Sequence, residues 1–216
     1  MIRINSPIFR IDTVARLFSI LFVATSGFAA AGFCAELDTI RIANSYADGG
    51  NYNWAGSGTP HEILFNGERI LAKGTNGTYC SGFTFAVVMR AAEQSKLLQE
   101  KSTEQIRRFQ KEWYGATGDT EKQAGPAMEN LGVGKSVPLD QAQAGDFVQF
   151  WRGKSGHSAV FLKWIEEGGK KIGFEYRSTQ KSTGGIGDKI EYFNDAVGRK
   201  GEVIRERTYF ARLNLK

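Results

Sequence analysis

The sequence predicts an α+β fold in which helices come first and an antiparallel sheet follows. From residue 81 to about residue 132 the apolar residues recur with the 3.6-residue period of a helix, and later they alternate with the two-residue period of a strand. Turns that contain glycine separate the later segments, which favours strands joined as a meander. We therefore expect N-terminal helices, one of them central, packed on a five- to six-stranded antiparallel sheet.

Three helices are predicted in the first part of the chain. Residues 81–99 are apolar nearly all round in their first turns, which is typical of a buried central helix. The next helix begins at Ser102 with a capping-box pattern and ends at Gly115. A third, short helix is expected at residues 127–131, before Gly132.

Five strands are predicted after these helices. The segment before the central helix, residues 44–79, is rich in Gly, Asn and Tyr and is expected to be irregular. The predicted strands cover residues 146–151, 157–165, 170–178, 188–193 and 203–214.

Residues 1–35 have the composition of an export signal. Arginines precede an apolar stretch at residues 17–24, and the small residues that follow suit cleavage after Ala31 or after Ala35. An uncleaved stretch would instead anchor the protein to a membrane, which is the alternative. We expect a periplasmic or secreted protein with residues 36–216 as a single domain.

Composition limits the classes of partner. The formal net charge is +5, and it falls to +3 without residues 1–35, which hold three arginines and one aspartate. This weak basicity suits an anionic polymer or simply solubility. No run of Lys and Arg interleaved with aromatic residues occurs, so nucleic acid is not an expected partner. Two cysteines cannot form a disulfide-rich mini-domain or a zinc ribbon, and we expect neither a metal nor an organic cofactor.

Cys80 is the residue on which a chemical function would depend. Cleavage after Ala35 would remove Cys34 and leave Cys80 without an intramolecular disulfide partner, whereas cleavage after Ala31 would leave Cys34 at the frayed terminus. A helix N-terminus beside an imidazole lowers a thiol's pKa, so we expect a reactive thiolate at this helix start. Backbone N–H groups of the first turn, from Ser81 onwards, would bind an oxyanion, and Gly82 would let a substrate approach closely. The alternative is a buried, inert cysteine.

A base for this thiol must come from one of two histidines. His157 begins a predicted strand at the rim of the sheet, whereas His61 lies in the irregular segment. Alternation along the next strand places Ser178 and Gln180 level with His157, so either would orient the imidazole. The alternative is that both are ordinary polar residues at the start of a loop.

Three segments resemble a known family. Residues 79–83 (Tyr-Cys-Ser-Gly-Phe), 145–150 (Gly-Asp-Phe-Val-Gln-Phe) and 156–161 (Gly-His-Ser-Ala-Val-Phe) are similar to the signatures of the papain-like NlpC-type cell-wall peptidases and the related CHAP amidohydrolases. The resemblance spans residues 79–180 in the family's order of cysteine, Gly-Asp strand and histidine. The sequence departs from the NlpC pattern at the third catalytic residue, which is commonly a histidine in that family. The Ser178-x-Gln180 spacing at this place looks instead like the polar pair of CHAP domains.

The resemblance implies a papain-like fold with catalytic Cys80, general base His157 and a polar third residue. Tyr79 would donate a hydrogen bond to the oxyanion, the alternative being a packed aromatic at the helix entry. The implied function is an exported hydrolase that cuts peptide or amide bonds of peptidoglycan; whether a protein inhibitor exists is left open. Two alternatives remain: a non-catalytic module that binds cell wall or protein, and an acyltransferase or transamidase using the same thioester. Trp54, Trp113 and Trp151 are candidate walls of a groove.

Overall fold

The computed structural model describes residues 39–215 of the chain, so the predicted export signal and Cys34 lie outside it. The fold class is α+β, as predicted, with four helices and a seven-stranded antiparallel sheet in the described residues. Within the same residues, none of the helices is both long enough and apolar enough to cross a membrane.

The helices precede the long strands of the main sheet. That sheet has the strand order β1-β8-β7-β6-β5-β9-β4, and β2 and β3 form a separate hairpin. The helices are α1 (residues 39–44), α2 (Cys80–Gln94), α3 (Thr103–Trp113) and α4 (Ala124–Leu131). The strands are β1 (Gly49–Gly50), β2 (Ile63–Phe65), β3 (Glu68–Leu71), β4 (Gly134–Val137), β5 (Phe147–Arg152), β6 (Ser155–Glu167), β7 (Lys170–Gln180), β8 (Gly185–Tyr192) and β9 (Thr208–Leu213).

The five predicted strands are present as β5 to β9, but the predicted count of five to six is wrong. The edge strands β1 and β4 complete the sheet, and neither is long enough to show a strand period in the sequence. The last predicted strand starts late, at Thr208, because Arg205–Arg207 form a 3₁₀ turn. The central helix ends at Gln94, because Lys96 adopts a left-handed conformation with φ of 61°. The capping box at Ser102 is confirmed.

The two faces of the sheet carry separate cores. Helices α2 to α4 cover one face, where Phe147 and Val160 join the helix side chains. The other face holds a second core of mostly aromatic residues, including Phe150 and Tyr176. Because side chains alternate along a strand, neighbouring residues of β6 belong to different faces.

A buried hydroxyl fixes α2 on β6. Thr84 Oγ1 accepts from Trp113 Nε1 at 3.1 Å, lies 2.9 Å from Ser158 Oγ and donates to the Cys80 carbonyl at 3.0 Å. If the Ser158 hydroxyl is the donor of its pair, the one hydrogen and two lone pairs of Thr84 are all used. This position therefore sets how the start of α2 meets the start of β6.

We predict that Thr84→Val destabilises the protein by about 1–3 kcal/mol, because it leaves the buried Trp113 N–H and Ser158 hydroxyl short of a partner. Urea unfolding followed by circular dichroism measures the change. Thr117→Val is the matched control, since Thr117 is exposed. Equal stability of the two variants would contradict a structural role for this hydrogen-bonded group.

Candidate active site

A cleft of about 610 Å³ lies where the start of α2 meets the start of β6. It is lined mainly by aromatic, hydroxyl and amide side chains, together with a thiol and an imidazole. The lining residues are Trp54, Tyr79, Cys80, Ser81, Tyr114, Gln123, Gln149, Trp151, Lys154, Ser155, Gly156, His157 and Ser158.

Cys80 is the first residue of α2, as predicted, and Tyr79 before it is extended. The side chain is enclosed, with 8% of its surface exposed, yet it borders the cleft. Its Sγ lies 3.9 Å from Ser81 Oγ. Among the described residues Cys80 is the free cysteine, so a disulfide does not occupy it there.

Burial raises the pKa of the Cys80 thiol, which is opposite to the lowering expected from the sequence. Desolvation of the charged form is the largest cause, and hydrogen bonds from Ser158 and Ser81 and the charge of Arg152 offset it only in part. The resting cysteine is therefore a protonated thiol at neutral pH.

His157 lies in β6, and its ring packs between Phe150 and Tyr176 with centroid distances of 5.3 and 5.6 Å. Burial, reinforced by the charge of Arg152, lowers the pKa of His157 to about 3. The imidazole is therefore neutral at neutral pH, the state in which it can accept a proton.

Gln180 hydrogen-bonds the imidazole, with its Oε1 at 3.3 Å from Nε2 of His157. The Gln180 amide nitrogen donates to Thr183 Oγ1 at 2.9 Å, which turns the carbonyl oxygen towards the ring. Because that oxygen only accepts, the neutral ring carries its proton on Nε2 and leaves Nδ1 as the basic atom.

Ser178, the other predicted orienting residue, makes no hydrogen bond to His157 within residues 39–215. Its hydroxyl donates to the Ser158 carbonyl at 2.6 Å and so ties β7 to β6. One residue along β7, Thr179 Oγ1 lies 2.9 Å from Thr78 Oγ1, in the segment that leads into α2. These buried hydroxyls hold the three site-bearing elements together.

The Cys80 thiol borders the cleft on the side of the sheet that α2 covers, whereas the His157 imidazole lies on the opposite side. Ser158 faces α2 through Thr84, whereas His157 belongs to the aromatic face with Phe150. Both Cys80 and His157 line the cleft, but within residues 39–215 no hydrogen bond joins them. In proteins without bound substrate, such bonds are often long or poorly aligned.

Tyr79 and Gly82, near the start of α2, make contacts that differ from those expected for their predicted roles. The Tyr79 hydroxyl donates to the Gly56 carbonyl at 3.2 Å, and its ring stacks on Trp54. Gly82 faces the backbone of Gly58, where an added Cβ would lie 2.3 Å from the carbonyl group. The chain's own loop therefore occupies the close approach that was expected for a substrate.

The walls of the cleft are aromatic. Trp54 is 71% exposed at the rim, and Trp151 is fixed by its Nε1, which donates to the Glu121 carbonyl at 3.0 Å. The Arg207 guanidinium lies over the Trp151 ring at 4.7 Å. Trp113, the third predicted wall, is instead buried in the helix-side core.

Gln149 is a cleft residue that the sequence analysis missed. It lies in β5 among apolar neighbours, and the available signal was an amide at an inward position of a buried strand. The described residues contain no group of three or more His, Cys, Asp or Glu side chains that could hold a metal ion.

Comparison of the chain with protein-family models, with curated proteins and with solved structures finds no match.

We predict that the free energy of unfolding falls as the pH is lowered from about 6.5 towards about 3, partly because of His157. In this pH range the His157 imidazole binds a proton in the unfolded chain but not in the folded chain, so the folded state loses stability as the pH falls. His157→Gln should flatten this dependence, whereas His61→Gln should keep it. Urea unfolding at several pH values measures it, and superimposable profiles for wild type and His157→Gln would contradict the prediction.

Alkylation of Cys80 by iodoacetamide is expected to be slow at pH 7 and to accelerate beyond pH 9, because only the thiolate reacts and burial raises its pKa above the ordinary 9.0. Mass spectrometry of the labelled chain gives the rate at each pH. Cys80→Ala supplies the background, including labelling of any retained Cys34. A rate that is already constant between pH 5 and 8 would reveal a thiolate–imidazolium pair and refute the prediction.

Proposed function

We propose that this chain is a papain-like cysteine hydrolase that cleaves peptide or amide bonds. The observation that carries the proposal is that Cys80, at the start of a buried helix, and His157, on β6, line one cleft, with Gln180 of β7 hydrogen-bonded to His157. A nucleophile, a base and a residue that orients the base are the parts that covalent acyl transfer requires.

The chemistry follows from the neutral resting pair. Sγ of Cys80 attacks the carbonyl carbon while its proton moves to Nδ1 of His157, the ring nitrogen that the Gln180 contact leaves free. Backbone N–H groups at the start of α2 bind the resulting oxyanion. His157 then returns the proton to the departing amine, and water hydrolyses the thioester. This mechanism requires that Nδ1 of His157 and Sγ of Cys80 come into contact when the substrate is bound.

The order of the elements supports the papain-like assignment. The cysteine precedes a central helix, the Gly-Asp turn leads into β5, and the histidine and its amide partner follow on β6 and β7. Asp146 in that turn accepts from the Gln143 N–H at 2.8 Å and pairs with Arg212, so its carboxylate has a structural role.

The lining of the cleft supports a peptidoglycan stem peptide as substrate. Lys154 is the residue with a formal charge among those described around the cleft, and stem peptides carry free carboxylates. The exposed ring of Trp54 offers a flat apolar surface beside it. Export through residues 1–35 belongs to the same proposal, since the cell wall lies outside the cytoplasm.

One observation favours a non-catalytic binding module instead. The Cys80 thiol is buried, burial raises its pKa, and a small buried cysteine packs like an apolar side chain. The cleft would then bind cell wall without cutting it. An acyltransferase would share every residue of the hydrolase and differ only in the acceptor of the acyl group.

We predict that the wild-type protein releases fragments with new amine termini from purified sacculi and that Cys80→Ala releases none. His157→Ala should slow the release by about 10²–10⁴-fold, the usual contribution of a general base. Mass spectrometry of the soluble products identifies the bond that is cut.

His61→Ala is the matched control, because His61 lies outside the cleft and bonds Tyr46 and the Glu62 carbonyl. It should release fragments at the wild-type rate. Identical product profiles from wild type and Cys80→Ala would exclude the enzyme. Co-sedimentation of both with sacculi, without products, would establish the binding module.

A further inference from the structure

We propose that Gln149 is a second oxyanion donor, whose side-chain amide hydrogen-bonds the carbonyl oxygen that Cys80 attacks. The inference rests on the proposed function, because it assigns a residue to the same acyl transfer. It adds a catalytic group from the sheet to the backbone donors of α2.

The register of the sheet places Gln149 on the side of the sheet that faces Cys80. Gln149 pairs with Ser158 across β5 and β6, and Cβ atoms of such pairs lie about 4.5–5.5 Å apart. Phe147, two residues away on the same strand face, packs in the helix-side core, so Gln149 also faces α2. Ser158 bonds Thr84, which in turn bonds the Cys80 carbonyl. The amide and the thiol therefore lie on one side of the sheet and line the same cleft.

The Gln149 amide has no hydrogen-bond partner among the described residues, although only 2% of the residue is exposed. Buried polar groups in proteins are nearly always paired, and an unpaired one costs about 1–3 kcal/mol. The amide atoms of Gln149 are not sealed off, since the fully buried side-chain atoms without a hydrogen bond in residues 39–215 are Arg152 Nε and Trp164 Nε1. The free amide thus opens into the cleft, where a ligand would complete it.

Gly156 and Trp151 limit the positions that the Gln149 amide can adopt. A Cβ on Gly156 would lie 2.9 Å from Gln149 Nε2 and 3.1 Å from the Trp151 ring. A glycine at this position leaves room for the amide, and the fixed indole beside it limits where the side chain can turn. A preorganised donor of this kind is what stabilisation of a developing charge requires.

Three other side-chain donors around the cleft are already used. The hydroxyl of Tyr79 donates to the Gly56 carbonyl, and that of Tyr114 donates to the Ser57 carbonyl at 2.7 Å. The Gln123 amide donates to the Thr120 carbonyl at 3.0 Å. Gln149 is the amide that remains uncommitted.

The donor acts only while the tetrahedral species exists. As sulfur bonds to the carbonyl carbon, the π electrons of the carbonyl move to its oxygen and the thiol proton moves to His157. The N–H of Gln149 donates to that oxygen while it carries the negative charge. The electron pair then re-forms the carbonyl, the bond to the leaving group breaks, and the leaving group takes the proton from His157. Loss of the donor should therefore lower kcat and leave KM nearly unchanged.

The test uses p-nitrophenyl acetate as the acyl probe and iodoacetamide as the alkylating probe of the full chain. Gln149→Met, which keeps the length but has no donor, should lower acylation of Cys80 by about 10²–10³-fold. Alkylation should stay within about threefold, because displacement of iodide forms no oxyanion. Gln149→Glu, close to the same shape and without N–H donors, provides a second variant if the first folds poorly. Gln99→Met on the exposed surface is the control.

If Gln149→Met were acylated at the wild-type rate while Cys80→Ala was not acylated, this inference would be overturned and the proposed function would stand. Equal losses of acylation and alkylation in a variant with an unchanged melting temperature would also overturn it, since they would indicate a positioning role. Failure of the wild type itself to form an acyl-enzyme would instead refute the proposed function, and the inference with it.

Discussion

Buried hydrogen bonds made by hydroxyl groups hold the start of α2 against the strands that carry the imidazole and its amide partner. Thr84 joins α2 to β6 at Ser158, Thr78 joins the lead-in of α2 to β7 at Thr179, and Ser178 joins β7 to β6. A buried hydroxyl that loses its partner is costly, so these contacts favour one arrangement over its neighbours. Each lies within a few residues of Cys80, His157 or Gln180. The precision of the candidate site is thus supplied by polar contacts beneath it.

Enclosure explains the electrostatics of the cleft. Both the thiolate and the imidazolium would lose water on burial, so the pKa of Cys80 rises and that of His157 falls. The two shifts favour the same neutral resting state. In the proposed mechanism, charge would separate only during acyl transfer, when an oxyanion and an imidazolium form together and stabilise each other. In such a site the donors around the carbonyl oxygen matter more than a preformed ion pair.

Much of this architecture could be predicted from local patterns. The capping box at Ser102, the helix start at Cys80 and the alternation that brings Gln180 to His157 all depend on periodicity over a few residues. The edge strands β1 and β4 escaped prediction because their pairing is decided by distant partners. The pKa of Cys80 and the freedom of the Gln149 amide depend on enclosure by several elements. The packing of the loop at Gly58 on Gly82 also depends on residues that are distant in the sequence, so no short stretch of sequence could predict it.

The enclosure of Cys80 has a consequence for survival in an oxidising compartment. Peroxides convert thiolates to sulfenic acid far faster than they convert protonated, shielded thiols. An unpaired cysteine outside the cytoplasm lacks the reductants that would repair such damage. Sulfur that ionises only when an acyl group is present would remain reduced through long idle periods. For a protein exported as proposed, the burial that raises the pKa of Cys80 would therefore also slow the oxidation of its sulfur.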